Sequence, residues 1–166
     1  MFRKWIPPLL GVCVLALFSG CATPPPLKAW PSNGIWRGVS AKDVFIASIR
    51  ALQQTGHRPK SSSTSMADGI IVTQEKQFRA GLIYKTYYKF IMLVAQRSPD
   101  AVEIVIRVQA GWRPRPVGRE RPRDLGEMKT DLERCVMIAT ENFFAEMTRQ
   151  LGPPAQTGVS MLTWGL

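Results

Sequence analysis

The side chains that ordinarily carry catalysis are few in this chain and poorly spaced for it. His57 is the single histidine. It stands beside Arg58, Pro59 and Lys60 just after a predicted helix, where a cation is favoured by the helix dipole alone. That structural duty is its expected role. No Gly-x-Ser-x-Gly elbow, Walker A loop, His-Glu-x-x-His or Cys-x-x-Cys occurs, so those nucleophile, phosphate, zinc and dithiol chemistries have no basis here. Closed zinc sites need several His or Cys ligands, which Cys13, Cys21 and Cys135 with His57 do not assemble. The acids of the last predicted helix, Glu127, Asp131, Glu133, Glu141 and Glu146, mostly fall off its apolar stripe and read as a solvated face. The expectation is a protein with no catalytic residues, no metal and no cofactor.

Two other groups are better suited to binding. Within GWRPRPVGRERPR, residues 111–123, Arg113, Arg115, Arg119, Arg121 and Arg123 face only Glu120, leaving a net +4. Guanidinium pairs bidentately with phosphate or carboxylate, and the interspersed prolines keep such groups displayed. The segment reads as an anion-docking loop, or alternatively as a solvated loop with local Arg–Glu pairing. The second group lies in the β-rich run from Leu82 to Ala95. If Ile104, Ile106 and Val108 mark a helix-covered sheet face, Ile91, Leu93 and Ala95 are their expected partners. Tyr88, Phe90, Met92 and Val94 would then point outward as an apolar patch, covered by a partner or by the C-terminal tail.

The elements that must position these groups follow from periodicity. Ile35 to Val39 is a candidate short strand. Ser40 is an N-cap with an acid, Asp43, three residues on, and Val44, Phe45, Ile49 and Leu52 make one apolar stripe. Gly56 is a C′ stop, so a helix is predicted over 41–55. His57 to Ser65 is polar with room for an edge strand. Residues 69–74 are β-branched and strand-like. Ser98-Pro99-Asp100 is turn chemistry, and the alternation from Val102 to Val108 completes a hairpin. Leu125, Met128, Leu132, Val136, Ala139, Phe143, Met147 and Leu151 then recur three or four apart until Gly152-Pro153-Pro154 ends the helix. The order (β)αβββα predicts an α+β two-layer sandwich: an antiparallel sheet with two helices on one face.

The N-terminal end is an address. Arg3 and Lys4 precede an apolar stretch to Gly20, the layout of a secretory signal and short for a membrane span. Leu17-Phe18-Ser19-Gly20-Cys21 resembles the bacterial lipobox, with Phe18 where that family has Leu. The resemblance implies cleavage before Cys21 and acyl chains on it. Several chains anchor stably, at about 0.8 kcal/mol per buried methylene. Ala22, rather than Asp, after the cysteine implies the outer membrane over the inner. The predicted organisation is a signal peptide over 1–20, a lipidated Cys21 with a Pro-rich tether to residue 34, a periplasmic domain over 35–152 and a tail over 153–166.

Removing residues 1–20 from the 166 leaves 146, enough for one cored domain. Cys135 is then the only thiol besides the lipidated one, which leaves no internal disulfide. It falls in an apolar helical pattern and reads as a small buried hydrophobe. The formal charge of +10, about +8 without Arg3 and Lys4, favours anionic partners. Ser40-Ala41-Lys42-Asp43-Val44-Phe45, Ala51-Leu52, Gly56 and Asp68-Gly69-Ile70-Ile71-Val72 are similar to a pattern in envelope lipoproteins with helix-grip domains. That resemblance implies a non-catalytic periplasmic binding module; with the lipobox, the two-faced strand and the missing catalytic set, the expectation is a binding or scaffold subunit of an outer-membrane assembly or transport system. Its expected partners are the membrane, through Cys21, and an envelope protein, with an anionic lipid or glycan as a further contact. The alternatives are a lipid or glycan cavity between helices and sheet and, ranked last, nucleic-acid contact through the arginines.

Overall fold

A computed structural model describes residues 30–80, 84–114 and 125–160 of the chain. The elements are β1 (Trp30–Arg37), α1 (Ala41–Gln54), β2 (Ile70–Val72), β3 (Lys76–Ala80), β4 (Tyr84–Ser98), β5 (Ala101–Pro114), α2 (Leu125–Leu151) and β6 (Gln156–Ser160). The sheet is antiparallel in the order β2-β4-β5-β1-β6, and β3 pairs with the first half of β4. Both helices contribute to the one core over this sheet. The predicted two-layer α+β sandwich is the observed fold.

α1 forms where its caps require. Ser40 stays extended, and its hydroxyl accepts from the Asp43 amide at 3.1 Å, satisfying a backbone donor the first turn cannot. At the other end Gly56 takes a φ of +74°, open to glycine without a Cβ penalty. Its N–H donates to Gln53 at 3.1 Å and the His57 N–H to Leu52 at 2.7 Å. This pair of bonds is a Schellman motif. It delivers His57 under the helix end and into the protein.

α2 runs 27 residues, about 40 Å at 1.5 Å per residue. Leu132, Val136, Ala139, Phe143 and Met147 from its predicted stripe are buried against the sheet. The Trp36 indole N–H donates to the Gly152 carbonyl at 3.0 Å and its ring stacks on Phe144, 6.1 Å between centroids. Gly34, two residues back on the same face, leaves the room this needs. A Cβ there would stand 2.7 Å from the indole.

Several sequence boundaries move. β1 begins at Trp30 and ends at Arg37, so residues 30–34 of the expected tether are strand. Pro31 is tolerated because the β1–β6 register shifts between Pro31 and Asn33, the kind of irregularity where proline's missing donor costs least. The polar passage after His57 holds a short 3-10 turn, Ser61–Ser63, and isolated bridges at Pro59 and Ser65. β3 was not expected as a separate strand. β5 continues through Gly111 to Pro114, inside the predicted loop. Gln156–Ser160 of the expected tail forms β6 against β1.

The largest correction concerns parity. Tyr88, Phe90, Met92 and Val94 are 4%, 1%, 0% and 6% exposed, so they lie in the core and not on an outer face. Directly opposed residues in an antiparallel ladder share a face, and the register is Val94↔Ile104, Met92↔Ile106 and Phe90↔Val108. A register shift between Gln96 and Ser98 causes this. Ser98 pairs with Ala101 at the turn; counting back without a bulge would set Ala95 against Ile104. One extra residue, Arg97, slips the ladder by one position, and a slip of one exchanges the faces.

Candidate functional site

The face of the sheet opposite the helices is apolar at its centre. Ile70, Leu93 and Val105 lie in one cross-strand row. Leu93 is 45% and Ile70 37% exposed, among the most exposed large apolar side chains described. Val105, Ile91, Val72 and Ile35 around them are half-buried. The expected two-faced strand is thus present, with Ile91 and Leu93 outward in place of Phe90 and Met92. An apolar group of this kind is uncommon on a sheet face left to water.

One end of the patch is closed by a polar cluster. Glu103 is 5% exposed. Its carboxylate accepts from Arg97 Nε at 2.5 Å and from Asn33 Nδ2 at 3.4 Å. The Arg97 hydrogen bond, foremost, holds the Glu103 carboxyl below its ordinary range. The bulge that reverses the sheet's parity therefore also places its extra residue over Glu103. Sequence alternation offered no signal for this pair.

Beneath the end of α1 lies a second candidate, a cleft of about 240 Å³ lined by residues including Thr55, His57, Lys76, Tyr88, Cys135 and Asn142. His57 is 3% exposed. Its Nε2 lies 3.0 Å from the Tyr88 hydroxyl and its Nδ1 3.2 Å from Thr55 Oγ1, and its ring packs on Phe90 at 4.8 Å. The Thr55 hydroxyl donates to the Ala51 carbonyl at 2.9 Å. Oγ1 therefore accepts from Nδ1–H, and Nε2 accepts the Tyr88 proton.

Burial, then the nearby Lys76 charge, lowers the His57 pKa to about 4, and burial raises Tyr88 to about 12. The cation expected at this helix end is instead a neutral, doubly bonded imidazole. Cys135 is half-buried. Burial, then Asp131, raises its thiol pKa, away from the nucleophilic thiolate. In this arrangement both ring nitrogens are engaged and the thiol keeps its proton.

Of the other expected site residues, Arg113 occupies β5 opposite Lys85. Arg115, Arg119, Arg121, Arg123 and Cys21 lie outside the described residues, as do Met161, Leu162 and Trp164 of the tail. Among the described residues no three His, Cys, Asp or Glu are grouped to hold a metal. No helix among them is long and apolar enough to cross a membrane.

No protein-family model matches the chain, and no curated protein matches it. Among solved structures, the chain is similar to the adenylate sensor from AMP-activated protein kinase, in its complex with 5-aminoimidazole-4-carboxamide ribofuranotide. The match has a TM-score of 0.40 and 16% identity, over 67% of this chain and 94% of that one.

Proposed function

We propose that the chain is a lipid-anchored, non-catalytic lipoprotein of the bacterial envelope, an accessory binding or scaffold subunit of an outer-membrane assembly or transport system. Acyl chains on Cys21 hold it to the periplasmic face of the outer membrane. A short segment spaces the domain from the bilayer, and the outer sheet face docks an envelope protein. The observation that carries the docking is the apolar row Ile70, Leu93 and Val105, exposed at Ile70 and Leu93, on the face the helices leave uncovered. The anchor is supported by the sequence from Leu17 to Cys21.

The cavity alternative has less support. Trp36, Phe90, Met92, Ile104, Phe143 and Met147 fill the layer between helices and sheet, each at most 1% exposed. The cleft near His57, at about 240 Å³, is smaller than a typical ligand pocket of roughly 300–1,000 Å³.

A photo-crosslinking residue at position 93 or 105 in the native envelope tests the docking. The expected product is one defined adduct with an outer-membrane assembly or transport protein, and none from the exposed helix position 141. Cross-links only to residues 161–166 of the same chain would assign the patch to the tail instead. For the anchor, Cys21→Ser is expected to abolish palmitate labelling; label persisting on that variant refutes it.

A further inference from the structure

The two edges of the sheet are finished differently. At the β2 edge, residues 58–65 run alongside and take up backbone groups that the strand turns outward. The Lys60 N–H donates to the Val72 carbonyl at 2.7 Å and the Gln74 N–H to the Arg58 carbonyl at 2.8 Å. Ser65 and Ile70 exchange a pair of bonds at 2.8 and 2.9 Å. β3, which continues this edge, carries Lys76 and Arg79, and charged residues of this kind keep sheet edges apart.

β6 has neither protection. It ends the strand order beside β1, and no other strand among the described residues pairs with it. Gln156-Thr157-Gly158-Val159-Ser160 contains no charge and no proline. The irregularity in this ladder falls on β1, between Pro31 and Asn33. Antiparallel pairing leaves every second residue of an edge strand with its N–H and C=O directed away from its neighbour. Thr157 lies opposite Gly34 and so on the helix side, with Val159 two residues on. Thr157 is nonetheless exposed, and Val159 is 67% exposed. The helices therefore stop short of this edge and leave space beside it.

We infer that β6 is a self-pairing edge: a second copy of this chain adds its own β6 antiparallel, about a two-fold axis at Gly158. This is the register that pairs all five residues. It sets Thr157 opposite the partner's Val159 and Gln156 opposite the partner's Ser160, and only glycine faces itself. Opposed β-branched residues favour such a ladder. The charges fit the same occupant. Arg37, the single charged residue of β1, is ion-paired with Asp100 at 4.0 Å, and Arg149 in the last turn of α2 with Glu146 at 2.7 Å. Two copies meet at β6 without opposing like charges. The axis stands normal to the sheet, so both helix layers fall on one side of a joined sheet. Both apolar rows of Ile70, Leu93 and Val105 then face the other side together.

The test uses the full chain in whole cells, with Cys135→Ser as background. Thr157→Cys and Val159→Cys are made separately, both at exposed positions. Directly opposed Cα atoms stand about 4.5–5.5 Å apart, within the disulfide range of roughly 4.4–6.8 Å. Each position lies about 7–8 Å from its own counterpart across the axis, which is too far. Produced together and mildly oxidised, the two variants are expected to give a covalent dimer, with the bond placed between 157 and 159 by mass spectrometry. Each variant alone is expected to stay monomeric. In detergent solution, Thr157→Asp with Val159→Asp opposes like charges across the axis. It is expected to shift the sedimenting mass from dimer to monomer while the far-ultraviolet circular dichroism stays unchanged.

Absence of the 157–159 bond from the mixture, equal dimer from either variant alone, or a parent chain that sediments as a monomer at every concentration each overturns the inference. So does a bond from either position to a different protein, which gives the edge to another partner. Both measurements read the same whether or not Cys21 is acylated, so the anchored reading stands or falls separately.

Discussion

The two faces of the sheet are built from similar side chains and have opposite fates. On the inner face Phe90, Met92 and Ile104 are closed over by α1 and α2 to 1%, 0% and 0% exposure. On the outer face, one residue along the same strand, Leu93 is 45% exposed. Hydrophobicity alone does not separate these positions. What separates them is which side of the pleat the helices reach, and that is settled by a single bulge. Apolar surface retained on the uncovered side contributes nothing to this core, which makes it the surface best suited to a partner.

The sharpest way to break this comparison is to cut into the inner side. Phe143→Ala is expected to cost about 3–5 kcal/mol, since the ring is 1% exposed beneath the sheet. Met92→Ala is expected to cost about 2–5 kcal/mol, whereas Leu93→Ala, one position away, should cost less than about 1 kcal/mol. Urea midpoints of the two variants measure this directly. Equal losses would mean that the parity is wrong and the outer face is covered.

Next in size is the titration of the inner face's one histidine. In the unfolded chain His57 titrates near 6.5, and in the folded chain at about 4. Between those values the unfolded state takes a proton that the folded state refuses. Stability is therefore fully present above about pH 6.5 and is lost as the pH falls toward 4, by about 3 kcal/mol in all. Chemical denaturation across that window should show the slope, and His57→Gln should remove it.

The outer face yields smaller effects. Arg97→Ala leaves the largely buried Glu103 carboxylate without its charged donor and is expected to lower stability by less than either core substitution. The Glu103 carboxyl should rise toward its ordinary range in that variant, observable by carboxyl NMR titration. Smallest of all, Leu93→Thr should change stability by no more than about 0.5 kcal/mol while abolishing the proposed partner adduct. Loss of the adduct without loss of stability is the signature of a docking residue.

Local chemistry announced α1 and α2 because their information is local. Ser40, Asp43 and Gly56 supply donors, acceptors and a positive φ within a few residues of where each is needed. The stripe from Leu132 to Met147 repeats at the helix's own period. The candidate sites were less legible. β4 is apolar on both parities, so alternation could not choose its inner face. The His57 pair depends on Tyr88, 31 residues away, and a polar stretch containing His, Arg and Lys gave no sign that the ring would be buried and neutral. β6 was hidden because its Gln, Thr and Gly become a strand only where β1 offers an open edge.

By itself the sequence determined the helix caps, the two helical stripes, the long hairpin, the class of fold and the basic charge. Each follows from interactions between residues close along the chain or from composition. The tertiary structure alone decided which face of β4 is core and where Arg97 finds Glu103. Those outcomes depend on register between distant strands. Register is set by one bulge and its accumulated packing, which no single stretch of residues encodes.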